Sequence, residues 1–254
     1  MRPQWLPRRA SMLLLALWFL FMLSLFCVVL GSQVRQKLVV VKRLGERARL
    51  YQVFDAATKK AAAALRRMEE AEYASLTQPW SINPALGDVA VGPDQFSISY
   101  ILDATYGRDA DKERRFGMVD EERKLNVNAA GIEVLQRLFI LAGLQESPAQ
   151  DLARSIADWR DQDSQLSAPS GSAEDSYYRS LPAPYEAKDS PFEIIQELLL
   201  VKGMDEDTFR KASEYLTVYG RGRVNINTAS GIVLQALGLS AEVAEKVISV
   251  RNGK

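Results

Sequence analysis

The sequence of 254 residues contains 32 basic and 32 acidic side chains, so its formal net charge at neutral pH is zero. It contains no histidine, which excludes every mechanism that needs an imidazole as base, nucleophile partner or zinc ligand. Its single cysteine, Cys27, excludes an internal disulfide and a thiolate metal site. Residues 1–70 hold 13 basic and four acidic side chains, whereas residues 71–254 hold 19 and 28. This division predicts an acidic body that follows a basic, apolar N-terminal segment.

The first candidate element is an uncharged stretch over residues 12–30, in which Ser24 is the only polar residue. At about 1.5 Å per residue, a helix of this length spans roughly the 30 Å hydrocarbon core of a bilayer. The alternative is a cleaved secretory signal, but such signals usually have apolar regions of about 7 to 15 residues. The stretch therefore predicts a transmembrane helix.

The helix is expected to continue beyond the membrane, over residues 11–75 in all. Apolar residues recur there every three or four positions, and no proline occurs before Pro79. Lys and Arg residues flank both ends of the apolar stretch, and the denser cluster follows it, so the charge count by itself favours a body inside the cell. The apolar positions after the membrane segment are Val34, Leu38, Val41, Leu44, Leu50, Val53 and Phe54.

A small sheet region is expected over residues 76–120. Proline, glycine and asparagine residues make its first part rich in turns. Apolar and polar residues then alternate from Phe96 to Asp103, which is typical of a strand, and residues 115–119 form a second candidate strand.

An internal repeat follows. Residues 124–138 align without gaps to residues 223–237, with seven identical positions. Each copy predicts a helix, a glycine-containing turn and a second helix. We expect Asn128 and Asn227 to cap the first helix of their copies, and Gly143 and Gly238 to end it.

The repeated unit resembles the helix-hairpin-helix motif of DNA-uptake proteins. The DNA contact of that motif usually depends on a Gly-x-Gly turn, whose backbone N–H groups bind phosphate. Neither Gly143 nor Gly238 is followed by a second glycine of this kind, and the body is acidic. Nucleic-acid binding is therefore not expected. A membrane-anchored nucleic-acid-binding protein of the DNA-uptake type is the alternative function.

An acidic loop lies between the two copies. Its oxygen donors suit calcium, which accepts six to eight oxygen ligands in adaptable geometry. The spacing favours Asp158, Asp161, Asp163 and Glu174 as ligands, although it does not match an EF-hand. The alternative is a solvated acidic loop without a metal.

Enzyme activity is not expected. A pair of acidic residues such as Asp158 and Asp161 could serve as acid and base. The sequence supplies no glycine-rich phosphate loop and no nucleophile beside a base.

Several motifs in one order resemble the K-type minor pseudopilins of type II secretion, also called general secretion pathway protein K. In chain order, these motifs are FGMVDEERKLNVNAA, ADWRDQD, GSAEDSYY, IIQELLLVKGM and VNINTAS. The resemblance implies an α+β fold with a long N-terminal transmembrane helix, a small antiparallel pseudopilin sheet and a large inserted helical domain. That domain is assigned to residues 121–220, and the second helix-hairpin-helix-like (SAM-like) unit to residues 221–254.

The N-terminus resembles that of type IV pilins and pseudopilins. The resemblance implies a basic leader over residues 1–10, which a prepilin peptidase cuts between Ala10 and Ser11. The fifth residue after the cut is usually Glu in such proteins, but here it is Leu15. Absence of this Glu is a feature of the K-type class.

The resemblance also implies location, partners and cofactor. It places a single-pass protein in the inner membrane, with the body in the periplasm. The implied partners are the I- and J-type minor pseudopilins, the major pseudopilin, the prepilin peptidase, the assembly platform and membrane lipid. Calcium is the implied cofactor. Family members usually continue past the second repeat copy, so this sequence is expected to be a truncated form or to complete its sheet differently.

Overall fold

The computed structural model describes residues 8–66, 74–103 and 112–251. Contacts between Cα atoms divide the chain into two units, which are described separately. One unit comprises residues 1–59 with 90–96, and the other comprises residues 60–89 with 97–254. The leader predicted over residues 1–10 lies mostly outside the described residues, since its first seven residues are not among them.

The N-terminal element is one long helix, α1 (Arg8–Arg66), of 59 residues. No proline interrupts it, and its apolar side chains from Met12 to Phe54 are largely exposed. By length and composition it is long and apolar enough to cross a membrane from Met12 onward. The predicted continuous helix is confirmed to Arg66; residues 67–73 lie outside the described part of the chain.

Six short strands form three two-stranded sheets in the described part of the chain. β1 (Val89–Val91) pairs with β2 (Asp94–Phe96). β3 (Ser99–Asp103) pairs antiparallel with β4 (Lys112–Phe116), with Ser99 opposite Phe116. β5 (Leu125–Asn126) pairs parallel with β6 (Leu216–Thr217).

The predicted strands are present but displaced. The candidate strand from Phe96 to Asp103 is divided between β2 and β3. At the division, the Ile98 N–H donates to the Leu86 carbonyl instead of pairing with a strand. The second strand ends at Phe116 rather than extending to residue 119. Beyond it, Gly117 lies against the backbone of Ser81, and the Met118 N–H donates to the Trp80 carbonyl.

The rest of the body is mainly helical. Its α-helices are α2 (Ile132–Leu141), α3 (Glu146–Arg160), α4 (Asp175–Tyr178), α5 (Glu206–Ala212), α6 (Gly231–Ala236) and α7 (Ala241–Arg251). One cluster of buried apolar side chains joins them, with Leu138, Ile156 and Leu234 fully buried. The apolar stripes of α2, α3 and α6 therefore pack into a common core.

The two copies of the repeat have matching local hydrogen bonds. Gly143 and Gly238 follow α2 and α6 at φ angles of 104° and 105°, a conformation in which glycine avoids strain. After these turns, Arg160 of α3 donates to the carbonyls of Val127 and Ala130. Arg251 of α7 donates to the equivalent carbonyls of Ile226 and Ala229.

The predicted helix caps are wrong. The side-chain oxygens of Asn126 and Asn225 accept the N–H groups of Asn128 and Asn227, at 2.8 and 3.1 Å. These local turns hold the chain out of the helical conformation, so α2 and α6 begin several residues later. Their N-terminal caps are Gly131 and Ser230.

Candidate functional site

The acidic loop is organised around Asp158, which is fully buried on α3. Its two carboxylate oxygens accept the backbone N–H groups of Ser167 and Ala173, each at 3.0 Å. Charged groups are stable in a protein interior only when hydrogen bonds or opposite charges compensate for lost water. Asp158 therefore fixes the loop against the helix.

Glu174 closes the loop and is only 3% exposed. Within the described chain, neither of its carboxylate oxygens has a hydrogen-bond partner. Burial raises its pKa to about 7, with further contributions from the negative charges of Asp158, Asp161 and Asp189. The side chain therefore carries either a proton or an uncompensated charge near neutral pH.

Asp161 and Asp189 add to this acidic cluster. Each has one buried carboxylate oxygen without a partner among the described residues. Burial, followed by repulsion from neighbouring carboxylates, raises the pKa of both groups. Asp189 also has a positive φ of 48°, which aspartate tolerates better than most residues.

The predicted ligand set is only partly brought together. Asp163 is exposed, and its Oδ1 accepts the N–H of Gln165 at 2.8 Å. Asp189 was missed because it lies outside the loop in sequence and has no recognisable ligand spacing. Among the described residues, no three acidic side chains stand close enough to constitute a preformed metal site.

The unpaired oxygens of Glu174, Asp161 and Asp189 have the chemistry of hard-cation ligands, although the three are not positioned to share one ion. They are carboxylate oxygens, they are buried, and their mutual repulsion raises the cost of ionising each of them. A divalent cation would offset that repulsion and replace the missing hydrogen bonds.

Aromatic side chains pack against one another beside this acidic cluster. The ring of Trp159 lies 5.1 Å from that of Tyr178, and its stack with Phe192 has a centroid distance of 6.5 Å. Lys202 donates to the Ser172 carbonyl at 3.0 Å and lies 4.8 Å from the ring centroid of Tyr177. These contacts hold the end of the loop in place.

The predicted N-terminal site lies in α1. The backbone of Ala10 and Ser11 is helical, while their side chains are outside the described part. Leu15 is 65% exposed, and its apolar neighbours along the helix are also exposed. The position where pilins usually carry Glu is thus part of a wholly apolar surface.

Comparison with known proteins gives a consistent result. A family model described as type II secretion system (T2SS), protein K, matches residues 110–221. Type II secretion system protein K of Pseudomonas aeruginosa is 29% identical over 146 residues, covering 57% of this chain and 43% of that protein. The protein of the same name from Pectobacterium carotovorum subsp. carotovorum is 30% identical over 109 residues, covering 43% and 33%. The chain thus spans less than half the length of these relatives.

One solved structure shares the fold. A chain of the GspK–GspI–GspJ complex from the type 2 secretion system of enterotoxigenic Escherichia coli matches with a TM-score of 0.64. The match covers 80% of this chain and 72% of that one, at 20% identity.

A long apolar helix followed by a mainly helical body with short strands is an α+β fold, and the helix fits a membrane anchor. This chain is similar to type II secretion system protein K, over residues 110–221 by the family model. The predicted fold is thereby confirmed, and so is the predicted resemblance to protein K.

Proposed function

We propose that this protein is a minor pseudopilin that forms the tip of the type II secretion pseudopilus with I- and J-type minor pseudopilins. The observation that carries the proposal is the fold shared with a chain of the GspK–GspI–GspJ complex. The similarity to type II secretion system protein K over residues 110–221 supports it. The role is structural rather than catalytic: the protein starts or caps the fibre that exports folded proteins across the outer membrane.

The proposed topology is a single pass through the inner membrane with the body in the periplasm. The apolar part of α1 lies in the lipid until assembly, because only a helix satisfies its own backbone hydrogen bonds there. A prepilin peptidase removes the leader between Ala10 and Ser11. The assembly platform then adds subunits of the major pseudopilin below the mature chain.

Leu15 supports the tip position. A buried carboxylate at this position would need a positive partner, such as the amino terminus of a neighbouring subunit. The topmost subunit has no neighbour above it, so an apolar residue avoids an unpaired charge. Exposed apolar residues along α1 would pack against the helices of the subunits below.

Calcium is the proposed cofactor of the acidic cluster. Of the predicted ligands, Glu174 and Asp161 keep unpaired carboxylate oxygens and would hold the ion, while Asp158 fixes the loop through its two backbone hydrogen bonds. The ion supplies positive charge that cancels carboxylate repulsion and stabilises the loop. In this proposal, calcium stabilises the fold of the body and the surface that the loop forms.

The test is co-expression of the full chain with I- and J-type minor pseudopilins of the same genome, followed by affinity purification in detergent. A three-way complex is expected, and chelation or the pair Asp161→Ala and Glu174→Ala should weaken it. The matched control is Glu214→Gln, an exposed residue of the body. Failure of both partners to co-purify with the well-folded chain would refute the tip role.

Cleavage is tested by the intact mass of the protein extracted from membranes. Loss of the first ten residues is expected. A chain that retains Met1, or that is cut elsewhere, contradicts the assignment of Ala10 and Ser11.

A further inference from the structure

The two repeat copies present equivalent surfaces, of which one is covered and the other is bare. In the first copy, this surface consists of Val127, Asn128 and Trp159. Its counterpart in the second copy consists of Ile226, Asn227 and Val250, which we call the second-copy patch. The equivalence follows from the sequence alignment and from Arg160 and Arg251, which bind matching carbonyls.

The first surface is covered by an extended segment of the same chain. The side-chain amide of Asn128 donates to the Phe192 carbonyl at 2.9 Å, and its oxygen accepts the Phe192 N–H at 2.7 Å. The Phe192 ring stacks on Trp159, and Val127 is completely buried. Asn128 therefore binds the backbone of one residue whose aromatic ring fills the apolar surface beside it.

The second-copy patch lacks such a cover in the described structure. Ile226 is 56% exposed and Val250 is 68% exposed, whereas their counterparts Val127 and Trp159 are buried. The backbone N–H of Asn227 is bound to Asn225. Its side-chain amide has no hydrogen-bond partner among the described residues, so it is free to bind a backbone as Asn128 does.

Arginine side chains lie beside the second-copy patch, together with the acidic residues Asp120 and Glu122. Arg251 contacts the Ile226 carbonyl, and its Nε is buried without a partner in the described chain. Arg123 lies close enough to repel Arg251, and Arg223 precedes the patch in sequence. Of the nearby carboxylates, Asp120 is already bound to Asn225 and Thr228.

The segment that covers the first copy has the complementary charge. Asp189 and Glu193 flank Phe192 within five residues, and the Glu193 side chain is 84% exposed. A second copy of this protein cannot readily supply the same segment, because Phe192 is buried in its own body. The same segment of a second copy is therefore not the expected occupant of the second-copy patch.

We propose that the second-copy patch binds an extended, acidic peptide segment of a partner protein, whose aromatic or large aliphatic side chain packs on Ile226 and Val250. Asn227 binds the backbone of that residue through both atoms of its amide. The acidic neighbours of the residue pair with Arg123, Arg223 and Arg251. The inference rests on the repeat geometry and not on the role proposed for the whole protein.

The first test uses a peptide of sequence KDSPFEI, which is the covering segment of residues 188–194, added to the full chain in detergent. Fluorescence anisotropy should show saturable binding, about tenfold weaker for Asn227→Ala and lost when the peptide phenylalanine is replaced by alanine. Leu166→Ala, an exposed apolar position in the acidic loop, is the matched control and should bind normally. The thermal midpoint of Asn227→Ala should equal that of the parent, which separates lost binding from lost folding.

The second test places a photo-crosslinking amino acid at Val250 in cells. The expected product joins Val250 to an acidic, aromatic or aliphatic segment of another protein, and Asn227→Ala reduces it. Crosslinks confined to this chain would overturn the proposal, as would equal binding of the peptide without phenylalanine, or preferential binding of a DNA oligonucleotide. Co-purification with I- and J-type partners is a separate readout, so failure here does not imply failure of the tip role.

Discussion

Glu174 is a carboxylic acid whose ionisation the fold opposes, since both oxygens are buried without hydrogen bonds in the described structure. Folding raises the pKa of Glu174 from 4.5 to about 7. Between these two pH values, the folded protein keeps a proton on Glu174 that the unfolded chain has released. The stability contribution of this proton is complete below pH 4.5 and is lost as the pH rises through 7.

In chelator, the protein is therefore expected to melt at a temperature ~5 °C lower at pH 7.5 than at pH 5. Calcium should remove most of the difference by replacing the proton. Glu174→Gln should flatten the pH dependence, and Glu214→Gln should leave it unchanged. The measurement is thermal unfolding followed by tryptophan fluorescence; a higher melting temperature at pH 7.5 in chelator contradicts the assigned cause.

Asn128 and Asn227 occupy equivalent positions but have different partners. Asn128→Ala removes two hydrogen bonds to Phe192 and leaves buried backbone groups unpaired, which should cost about 1–3 kcal/mol of unfolding free energy. Asn227→Ala should cost less than about 0.5 kcal/mol, because surface substitutions usually do. Urea unfolding of the two variants checks this; equal losses would show that the copies are equally covered.

At the residue scale, the sequence identified the acidic loop but only part of the acidic cluster. Asp158 and Glu174 could be found because they lie in one acidic stretch. Asp189 could not, because folding brings it to the cluster from a different segment. The predicted Asn caps failed because Asn126 and Asn225 bind the backbone N–H groups of Asn128 and Asn227 in local turns, and the helices begin only after Gly131 and Ser230.

Among the elements, α1 was predictable because a long helix depends on local periodicity and on the absence of proline. The strands were displaced because their ends depend on neighbours. The parallel pair β5–β6 joins Leu125 to Leu216, which lie far apart in sequence. Pairing over such a distance leaves no local sequence pattern.

The end of β4 depends on a close backbone contact at Gly117. A Cβ atom there would stand 2.0 Å from the Ser81 carbonyl oxygen, so Gly117→Ala must displace the backbone. We expect a loss of about 2 kcal/mol in unfolding free energy. Gly45→Ala in α1 is the control, since a Cβ there meets nothing within 4 Å. An unchanged urea midpoint for Gly117→Ala would show that this contact is not required.

For the whole molecule, the apolar helix predicts retention in the membrane fraction, which the body does not predict. The full chain should remain in the membrane pellet after alkaline carbonate extraction, because about 20 apolar residues are enough to span a bilayer. Deletion of residues 12–30 should release it to the supernatant. Release of the full chain would contradict a membrane-spanning helix; retention of the deletion variant would show that the body binds the membrane by itself.

The sequence by itself determined the apolar helix, the acidic body, the repeat and the resemblance to protein K, because each depends on local composition or on the order of motifs. The tertiary structure decided which carboxylates converge, which strands pair and which repeat surface is covered. These features depend on contacts between residues far apart in the chain. Burial at such contacts removes water, which raises the energetic cost of each unpaired charge. Asn128 and Asn227 have different roles for that reason, because in the described fold only Asn128 binds the backbone of Phe192.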